Sequence, residues 1–265
     1  GGSGKEVIAR KVILCAGGAS YPATGSDGGG YRLARNLGHS ITPIRSGLAG
    51  IETAEPWFDG LEGVSVPYVE TFILDREKKG PSKRGGILFT AKGLSGPSIL
   101  DLSRFVEPGT IVRVNWIPDR PEARDRKLFA AVIRANGGSP IRKGLKFTGL
   151  PGRLIDILLS GSSIPVDKAS SEISAEEMSR LFDAITGHPF PVQAVEGFEK
   201  AMVTCGGVPL DEVSPGTLKS KIADGLYFAG EILDIDGDSG GYNIQAACST
   251  GYTAGISAAR ETRRS

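Results

Sequence analysis

The chain has few of the residues that would identify a disulfide framework, a zinc centre or a membrane span. Its 265 residues include three cysteines, far apart and without a CxxC pair, so we expect neither disulfides nor structural zinc and predict a reducing, cytoplasmic location. No apolar run approaches the roughly 18 residues that cross a bilayer, and no signal-peptide pattern is present, so we expect no membrane partner. The net charge of +1 gives no reason to expect nucleic acid.

Histidine and the common catalytic motifs are scarce as well. His39 and His188 each lie beside a glycine at the predicted end of a helix, so we interpret both as polar residues near a helix C-terminus and predict no metal site. The chain lacks a Walker A lysine motif, a GxSxG elbow and an HExxH pair. It also lacks the GxGxxG fingerprint, because Gly25 to Gly30 (GSDGGG) follows a polar loop and not a strand.

The most informative stretch that is present runs from Gly225 to Arg260. Leu226 to Ala229 is predicted to be a buried strand, and small residues recur from Ile244 onward on one face of a predicted helix. Gly240-Gly241 lies just before that helix, where exposed N–H groups and the helix dipole favour an electron-rich ligand group.

Two other segments have the same strand-to-glycine order. Val12 to Cys15 is predicted to be a buried parallel strand that ends in Ala16-Gly17-Gly18, and a helix is expected after it, with Ser26 or Asp27 as N-cap and Gly38 beyond its end. Ala201 to Cys205 is predicted to be a strand that ends in Gly206-Gly207.

The middle of the chain has a different predicted order of strands and helices. Short β-rich runs are predicted over 63–66, 68–74, 86–90 and 110–116, and the charged run DREKKGPSKRGG is predicted to be an exposed hairpin tip. Helices are predicted over 122–135, 150–159 and 175–186, the last opened by a capping box of Ser174 and Glu177. We therefore predict an α/β fold, α+β overall, in which an insert at 47–194 (β-rich over 47–118, helical over 119–194) separates α/β segments 1–46 and 195–265.

Glycine pairs that follow strands or precede a helix predict a ligand at the carboxyl ends of an open α/β sheet. The acidic loop Asp234-Ile-Asp236-Gly-Asp238 does not fit a calcium loop, because its sixth position is Ser239 and its twelfth is Gln245. We interpret the acids of this loop as turn caps or as ligands for substrate or cofactor hydroxyls.

With these residues in view, the chain resembles the flavoprotein family that includes the BaiN-type and aminoacetone-oxidase-like FAD-dependent, NAD(P)-linked oxidoreductases. The matching motifs are KVILCAGGASYPATGSDGGGYRLARNLGH, LFTAKGLSGPSILDLSR, VTCGGVPLDEVSP and GLYFAGEILDIDGDSGGYNIQAACSTG. The resemblance implies an incomplete Rossmann-like FAD domain, interrupted by an inserted β-barrel-like and helical domain. The family's N-terminal GxGxxG segment precedes these motifs, and the GGSG start leaves an engineered start, a native fragment and a longer gene product open.

The resemblance also implies a cofactor site. Gly17 and Gly18 would line FAD, Gly230-Glu231 would approach its ribitol or diphosphate, and the segment from Gly240 to Ile244 would abut the isoalloxazine ring. With the glycine turns and the acidic loop, the predicted cofactor-binding residues are Ala16, Gly17, Gly18, Gly206, Gly207, Gly230, Glu231, Asp234, Gly240, Gly241, Tyr242, Asn243 and Ile244. No side chain is assigned as a catalytic acid or base.

The expected function is flavin-mediated hydride transfer between NAD(P)H and an unidentified small organic substrate. Two alternatives stay open at this point. The chain alone could be a catalytically inert binding module, or it could belong to a flavin-dependent RNA-modifying enzyme, against which the near-neutral charge counts. The oligomeric state is not predicted.

Overall fold

The chain forms two compact units, each with its own hydrophobic core. The computed structural model describes residues 7–54, 60–75 and 78–264. One unit consists of Gly1–Ala49 with Glu196–Ser265, and the other of Gly50–Val195. Within the described ranges no helix is long and apolar enough to cross a membrane.

The described residues form ten strands and seven α-helices. The strands are β1 (Val12–Leu14), β2 (Thr42–Gly47), β3 (Ile51–Thr53), β4 (Ser65–Asp75), β5 (Lys78–Phe89), β6 (Gly93–Ser95), β7 (Ile111–Asn115), β8 (His188–Val195), β9 (Val203–Gly207) and β10 (Leu226–Phe228). The helices are α1 (Gly29–Asn36), α2 (Pro97–Leu102), α3 (Arg126–Arg134), α4 (Ile141–Gly144), α5 (Gly152–Gly161), α6 (Ala175–Gly187) and α7 (Tyr242–Arg264). Single 3-10 turns lie between them, among them Gly230–Ile232 after β10.

The first unit contains two short strand pairs. β1 pairs with β10 in parallel, as predicted, and β2 pairs with β9 in antiparallel. Tyr31, Phe228 and Ile232 lie in its core with Ala254 of α7. The prediction that β1 is buried is wrong for the described residues, since Val12 is 52% exposed and only β10 pairs with this strand.

The start of α1 also differs from the prediction. Its N-cap is Gly28 in a left-handed conformation (φ 75°), and not Ser26 or Asp27. Asp27 still contributes, because its Oδ1 accepts a hydrogen bond of 2.9 Å from the Gly29 N–H. A glycine takes the left-handed turn without steric cost, so the chain can enter the helix one residue later. Gly38 follows the end of α1 with φ 94°, as expected for a helix terminator.

The second unit contains a closed barrel in the order β3-β6-β5-β4-β7-β8. The hairpin predicted at DREKKGPSKRGG forms, since β4 and β5 pair in antiparallel, but most of the run is strand and not tip. β5 begins at Lys78, with Arg84 opposite Glu70, and residues 76–77 lie outside the described residues. The polar run lacks the apolar alternation that marks a strand. Two of its charges are paired: Lys79 lies 2.7 Å from the buried Glu70, and Arg84 lies 3.1 Å from Asp119.

β8 was not predicted and closes the barrel against β3 and β7. Its two prolines, Pro189 and Pro191, are exposed, whereas Phe190 and Val192 point into the core. Prolines normally argue against a strand, but here they alternate with the inward positions.

The helices of the second unit pack onto the same core through Phe129, Leu154 and Leu181. The capping box at the start of α6 is confirmed. The Ser174 side chain accepts a hydrogen bond from the Glu177 N–H, and the Glu177 side chain accepts one from the Ser174 N–H. The predicted α/β class with an inserted barrel-like and helical part is confirmed.

Candidate functional site

The carboxyl ends of β1 and β10 lie at one edge of their pair, because the two strands are parallel. Val12 pairs with Leu226, and the Ala229 N–H donates to the Leu14 carbonyl at 3.1 Å. β1 continues into Cys15-Ala16-Gly17-Gly18, and β10 continues into Gly230-Glu231. Two of the predicted glycine turns therefore meet at this edge, as ligand sites of α/β sheets do.

Thr204 of β9 holds the first of these turns. Its Oγ1 accepts a hydrogen bond from the Ala19 N–H at 2.8 Å and lies 3.0 Å from Ser20 Oγ, and the side chain is fully buried. A Cβ on Gly18 would stand 2.4 Å from that Oγ1 and 3.0 Å from Glu231 Cδ. The glycine at position 18 is therefore required by packing. Thr204 itself was not singled out from the sequence, where a threonine before Cys-Gly-Gly gives no signal of its role.

Glu231 joins the two turns. Its Oε1 accepts a hydrogen bond of 2.6 Å from the Thr204 N–H, and its carbonyl accepts one of 3.3 Å from the Tyr31 hydroxyl. Burial, reinforced by the Glu231 carboxylate, raises the pKa of Tyr31, which therefore stays a neutral donor. Glu231 Oε2 makes no hydrogen bond within the described ranges. One carboxylate oxygen thus fixes the turn, and the other can accept from a ligand hydroxyl.

Helix α7 is tied to the same region. The Gly230 N–H donates to Thr250 Oγ1, in the third turn of α7, at 2.9 Å. Asn243, in the first turn, lines a small cavity with Gly230 and Glu231. Asn243 holds the acidic loop, because its Oδ1 accepts from the Gly237 N–H at 2.8 Å and its Nδ2 donates to the Gly237 carbonyl at 2.9 Å. Thr250 is a second residue that sequence reasoning missed, although it stands one turn from the small-residue positions that drew attention to this helix.

The tip of α7 is open. Gly240 and Gly241 have φ values of 108° and 95°, and a Cβ on Gly241 would meet nothing within 4 Å. Tyr242 and Ile244 are 65% and 73% exposed. The first N–H groups of a helix have no partner within the helix, and the positive end of the dipole lies there. This tip can therefore face an electron-rich ligand group.

The other predicted site residues lie in tighter surroundings. A Cβ on Gly206 would stand 2.4 Å from the Pro43 carbonyl oxygen, and one on Gly207 would stand 2.6 Å from the Ile232 carbonyl oxygen. The chain's own backbone occupies that side of both glycines. Ala16 packs where a Cβ on Gly30 would lie, at 2.8 Å, and the Asp234 N–H donates to the Val208 carbonyl at 2.9 Å. Cofactor contact by these four residues stays a prediction.

A buried cluster elsewhere in the unit has the atoms of a nucleophilic triad. His39 lies between Glu212 Oε2 and Ser220 Oγ, 2.8 Å from each, and its side chain is fully buried. Ser220 Oγ also accepts the N–H groups of Ile222 and Ala223, and Ser220 is only 6% exposed. Because the hydroxyl is already used for these turns, we interpret the cluster as structural. The sequence placed His39 near a helix end but did not indicate its two partners.

An α/β unit in which glycine turns follow parallel strands, and a helix packs against one of those turns, is the arrangement of a Rossmann-type, dinucleotide-binding protein. The chain belongs to the HI0933-like Rossmann-domain family, whose model, described as "HI0933-like protein Rossmann domain", matches residues 2–257. The resemblance drawn from the sequence motifs is confirmed at the level of the family.

Three relatives show how far the similarity extends. The chain is 35% identical over 263 residues to the 3-dehydro-bile acid delta(4,6)-reductase of Clostridium scindens, covering 97% of this chain and 64% of that protein. It is 32% identical over 253 residues to the ribosomal RNA dihydrouridine synthase of Escherichia coli, covering 94% of this chain and 61% of the relative. The protein of the same name from Haemophilus influenzae is 30% identical over 256 residues, covering 95% and 61%. The chain thus spans somewhat less than two thirds of the length of these relatives.

Proposed function

We propose that this chain is part of an FAD-dependent oxidoreductase. The observation that carries the proposal is the open N-terminus of α7. The first turns of this helix line one small cavity with Gly230 and Glu231 of the turn after β10. Membership of a Rossmann-domain family and similarity to a protein named as a reductase support it.

The residues at the strand ends fit a flavin nucleotide. The space over Gly241 and the exposed first turn of α7 suit a flat, electron-rich ring edge, to which the helix presents N–H donors. Glu231 Oε2 suits a ribityl or ribose hydroxyl, because it is a hydrogen-bond acceptor held in place through its partner oxygen. A Cβ on Gly17 would meet only Ser26 Oγ, at 3.6 Å, so the space on that side of Gly17 is open to a ligand.

FAD, when bound, supplies the hydride chemistry, and the protein supplies position and electrostatics. The proposed reductant is NAD(P)H, and the proposed substrate is a small organic molecule. The chain's own contribution is to hold the cofactor through α7 and Glu231. A reducing, cytoplasmic location is proposed with this function and rests on the wide spacing of the three cysteines.

FAD binding by the 265-residue chain tests the proposal. Equilibrium dialysis against FAD is expected to show saturable binding, whereas the alternative of an inert binding module predicts none. Ile244→Glu places a negative charge in the first turn of α7, and we expect it to weaken binding by between about 2-fold and 30-fold.

Tyr252→Glu is the matched control. It introduces the same negative charge at a side chain that is 72% exposed, two turns further along α7, where the dipole effect has decayed. Equal weakening by both variants would remove α7 from the proposed site.

A second candidate function, flavin-dependent modification of RNA, has a specific observation in its favour. Two relatives are named as ribosomal RNA dihydrouridine synthases. The near-neutral net charge, which counted against RNA, conceals a strongly basic segment within the helical part of the chain. Assays of the full-length gene product with small carbonyl or enone substrates and with RNA, each with NAD(P)H, separate the two candidates.

A further inference from the structure

The charges of the second unit are segregated along the chain. Between residues 120 and 153 there are nine basic residues and two acidic ones, and all nine basic side chains are exposed. The nine are Arg120, Arg124, Arg126, Lys127, Arg134, Arg142, Lys143, Lys146 and Arg153. A net charge of +1 for the whole chain averages this segment with acidic regions elsewhere.

Most of these cations are not neutralised by carboxylates. Arg126 pairs with Asp183, and Arg142 pairs with Asp156. The other seven have no carboxylate partner among the residues that the structure describes. Arg153 donates to the Gly60 carbonyl at 3.4 Å, which leaves its charge in place. A solvated basic face usually carries interspersed acids, and here they are almost absent.

Six of the basic residues lie on the successive helices α3, α4 and α5, and the other three lie in the segments that flank α3 and α4. The helices contact one another: a Cβ on Gly144 of α4 would lie 3.5 Å from the Asn136 side chain, just beyond α3. A Cβ on Gly152, at the start of α5, would lie 2.9 Å from the Arg142 guanidinium. We call the exposed side chains of residues 120–153 the basic face.

A groove of about 500 Å³ runs along this face between α3 and α6. Arg126, Lys127 and Arg134 line it, and its other lining residues carry no acid. Lys127 and Arg134 are seven residues apart, so they stand on the same side of α3 at a separation of about 10 Å. The groove therefore presents a row of cations to whatever lies along it.

We propose that the basic face binds the phosphodiester backbone of RNA, with the groove between α3 and α6 as its centre; the proposal rests on the second candidate function, for which it names the RNA-contacting surface. A polyanion matches a row of lysines and arginines, of which Lys127 and Arg134 have no carboxylate partner among the described residues. Contacts to phosphates position a strand without reading its sequence. An anionic membrane fits less well, because Leu128, 39% exposed, is the one large exposed apolar side chain within residues 120–153. A peripheral membrane surface carries several such side chains.

The test measures binding of a fluorescein-labelled, mixed-sequence single-stranded RNA to the full chain by fluorescence anisotropy at several salt concentrations. No FAD or NAD(P)H is added, so a failure of the flavin proposal leaves this result unaffected. The double variant Lys127→Glu/Arg134→Glu is expected to lose about tenfold or more in affinity, and the slope of log K against log salt is expected to fall by about 1.4, which corresponds to two phosphate contacts.

The control variant, Arg32→Glu/Arg45→Glu, reverses two exposed cations of the other unit and changes the net charge equally. It is expected to retain affinity within about twofold, and circular dichroism of both variants checks that they fold. Equal losses in the two variants, RNA binding without salt dependence, or binding to vesicles of phosphatidylserine and phosphatidylcholine in place of RNA would each overturn the proposal.

Discussion

At the scale of single residues, Gly18 shows how packing and a candidate ligand site coincide. The sequence predicted this glycine as a cofactor contact, and the structure adds that Thr204 and Glu231 fill the space where a side chain would be. Packing alone therefore explains why a glycine occupies position 18, without a ligand. The same holds for Gly206 and Gly207, whose neighbours are backbone atoms.

Gly18→Ala is expected to lower the free energy of unfolding by about 1–3 kcal/mol, because the added methyl group overlaps Thr204 and forces the turn to move. Chemical denaturation with urea measures the loss. Gly216→Ala is the control, since that glycine is exposed, belongs to the same unit and has open space around it. A change of less than about 0.5 kcal/mol for Gly18→Ala would contradict the packing described here.

His188 is a second residue whose environment has a measurable consequence. Burial, assisted by the charge of Arg113, lowers the pKa of His188 from 6.5 to about 4. Between these values the unfolded chain binds a proton that the folded chain does not, so stability falls as pH decreases from about 6.5 to about 4. Above pH 6.5 this histidine contributes no pH dependence.

The titration can be followed directly by NMR of the imidazole C–H signals, with His188→Gln used to assign the resonance. We expect the His188 signal to keep its neutral shift down to about pH 5 and to titrate near pH 4. A midpoint near 6.5 would show that the ring is solvated.

At the scale of elements, local signals predicted helix ends better than strand ends. The capping box of α6 was identified from Ser174 and Glu177 alone, because both bonds are formed within one turn. β8 was missed, because its identity depends on a strand far away in the chain: Phe190 pairs with Val112 of β7. Of β5 only the last part, over 86–90, was predicted. Its first part, where Lys79 pairs with Leu74 of β4, is polar and lacks the apolar alternation of a strand.

The capping box also makes α6 sensitive to acid. Hydrogen bonds from Lys168 and from the Ser174 backbone lower the pKa of Glu177 from 4.5 to about 2. A lowered carboxylate pKa stabilises the folded chain above about pH 4.5, and that contribution is lost as pH falls towards 2.

Glu177→Gln removes this titration and keeps a side chain that can still accept at the cap. We expect the unfolding temperature of the variant to fall less between pH 5 and pH 3 than that of the unaltered chain, as measured by circular dichroism. Glu176→Gln is the control, because Glu176 is exposed and stands outside the cap. If both variants and the parent lost the same amount, the capping carboxylate would not be the group responsible.

The helix α7 shows what the sequence revealed about the site and what it did not. Its glycine-rich start and small residues were visible as a pattern, and the structure places the first turns of α7 around a small cavity with Gly230 and Glu231. The clamps that hold it there, Asn243 on Gly237 and Thr250 on Gly230, are side-chain contacts to loop backbone. Such contacts have no fixed spacing in a sequence, so they could not be predicted.

At the scale of the whole molecule, the net charge does not show how the charges are distributed. The net charge of +1 is correct for the chain, yet the basic face gathers nine cations within 34 consecutive positions, from Arg120 to Arg153. The α/β texture at both ends of the sequence predicted a divided Rossmann-like domain, and family membership supports that reading. The proposed flavin site and the basic face rest on different residues, in different units of the chain, and can be tested independently.

The proposed flavin site at the strand-end turns and α7 can be tested through the flavin content of the full-length gene product, purified without added cofactor and then reconstituted with FAD. We expect a yellow protein that holds equimolar FAD, either as purified or after reconstitution. A colourless protein that shows no flavin absorbance after incubation with FAD and removal of the excess would contradict it.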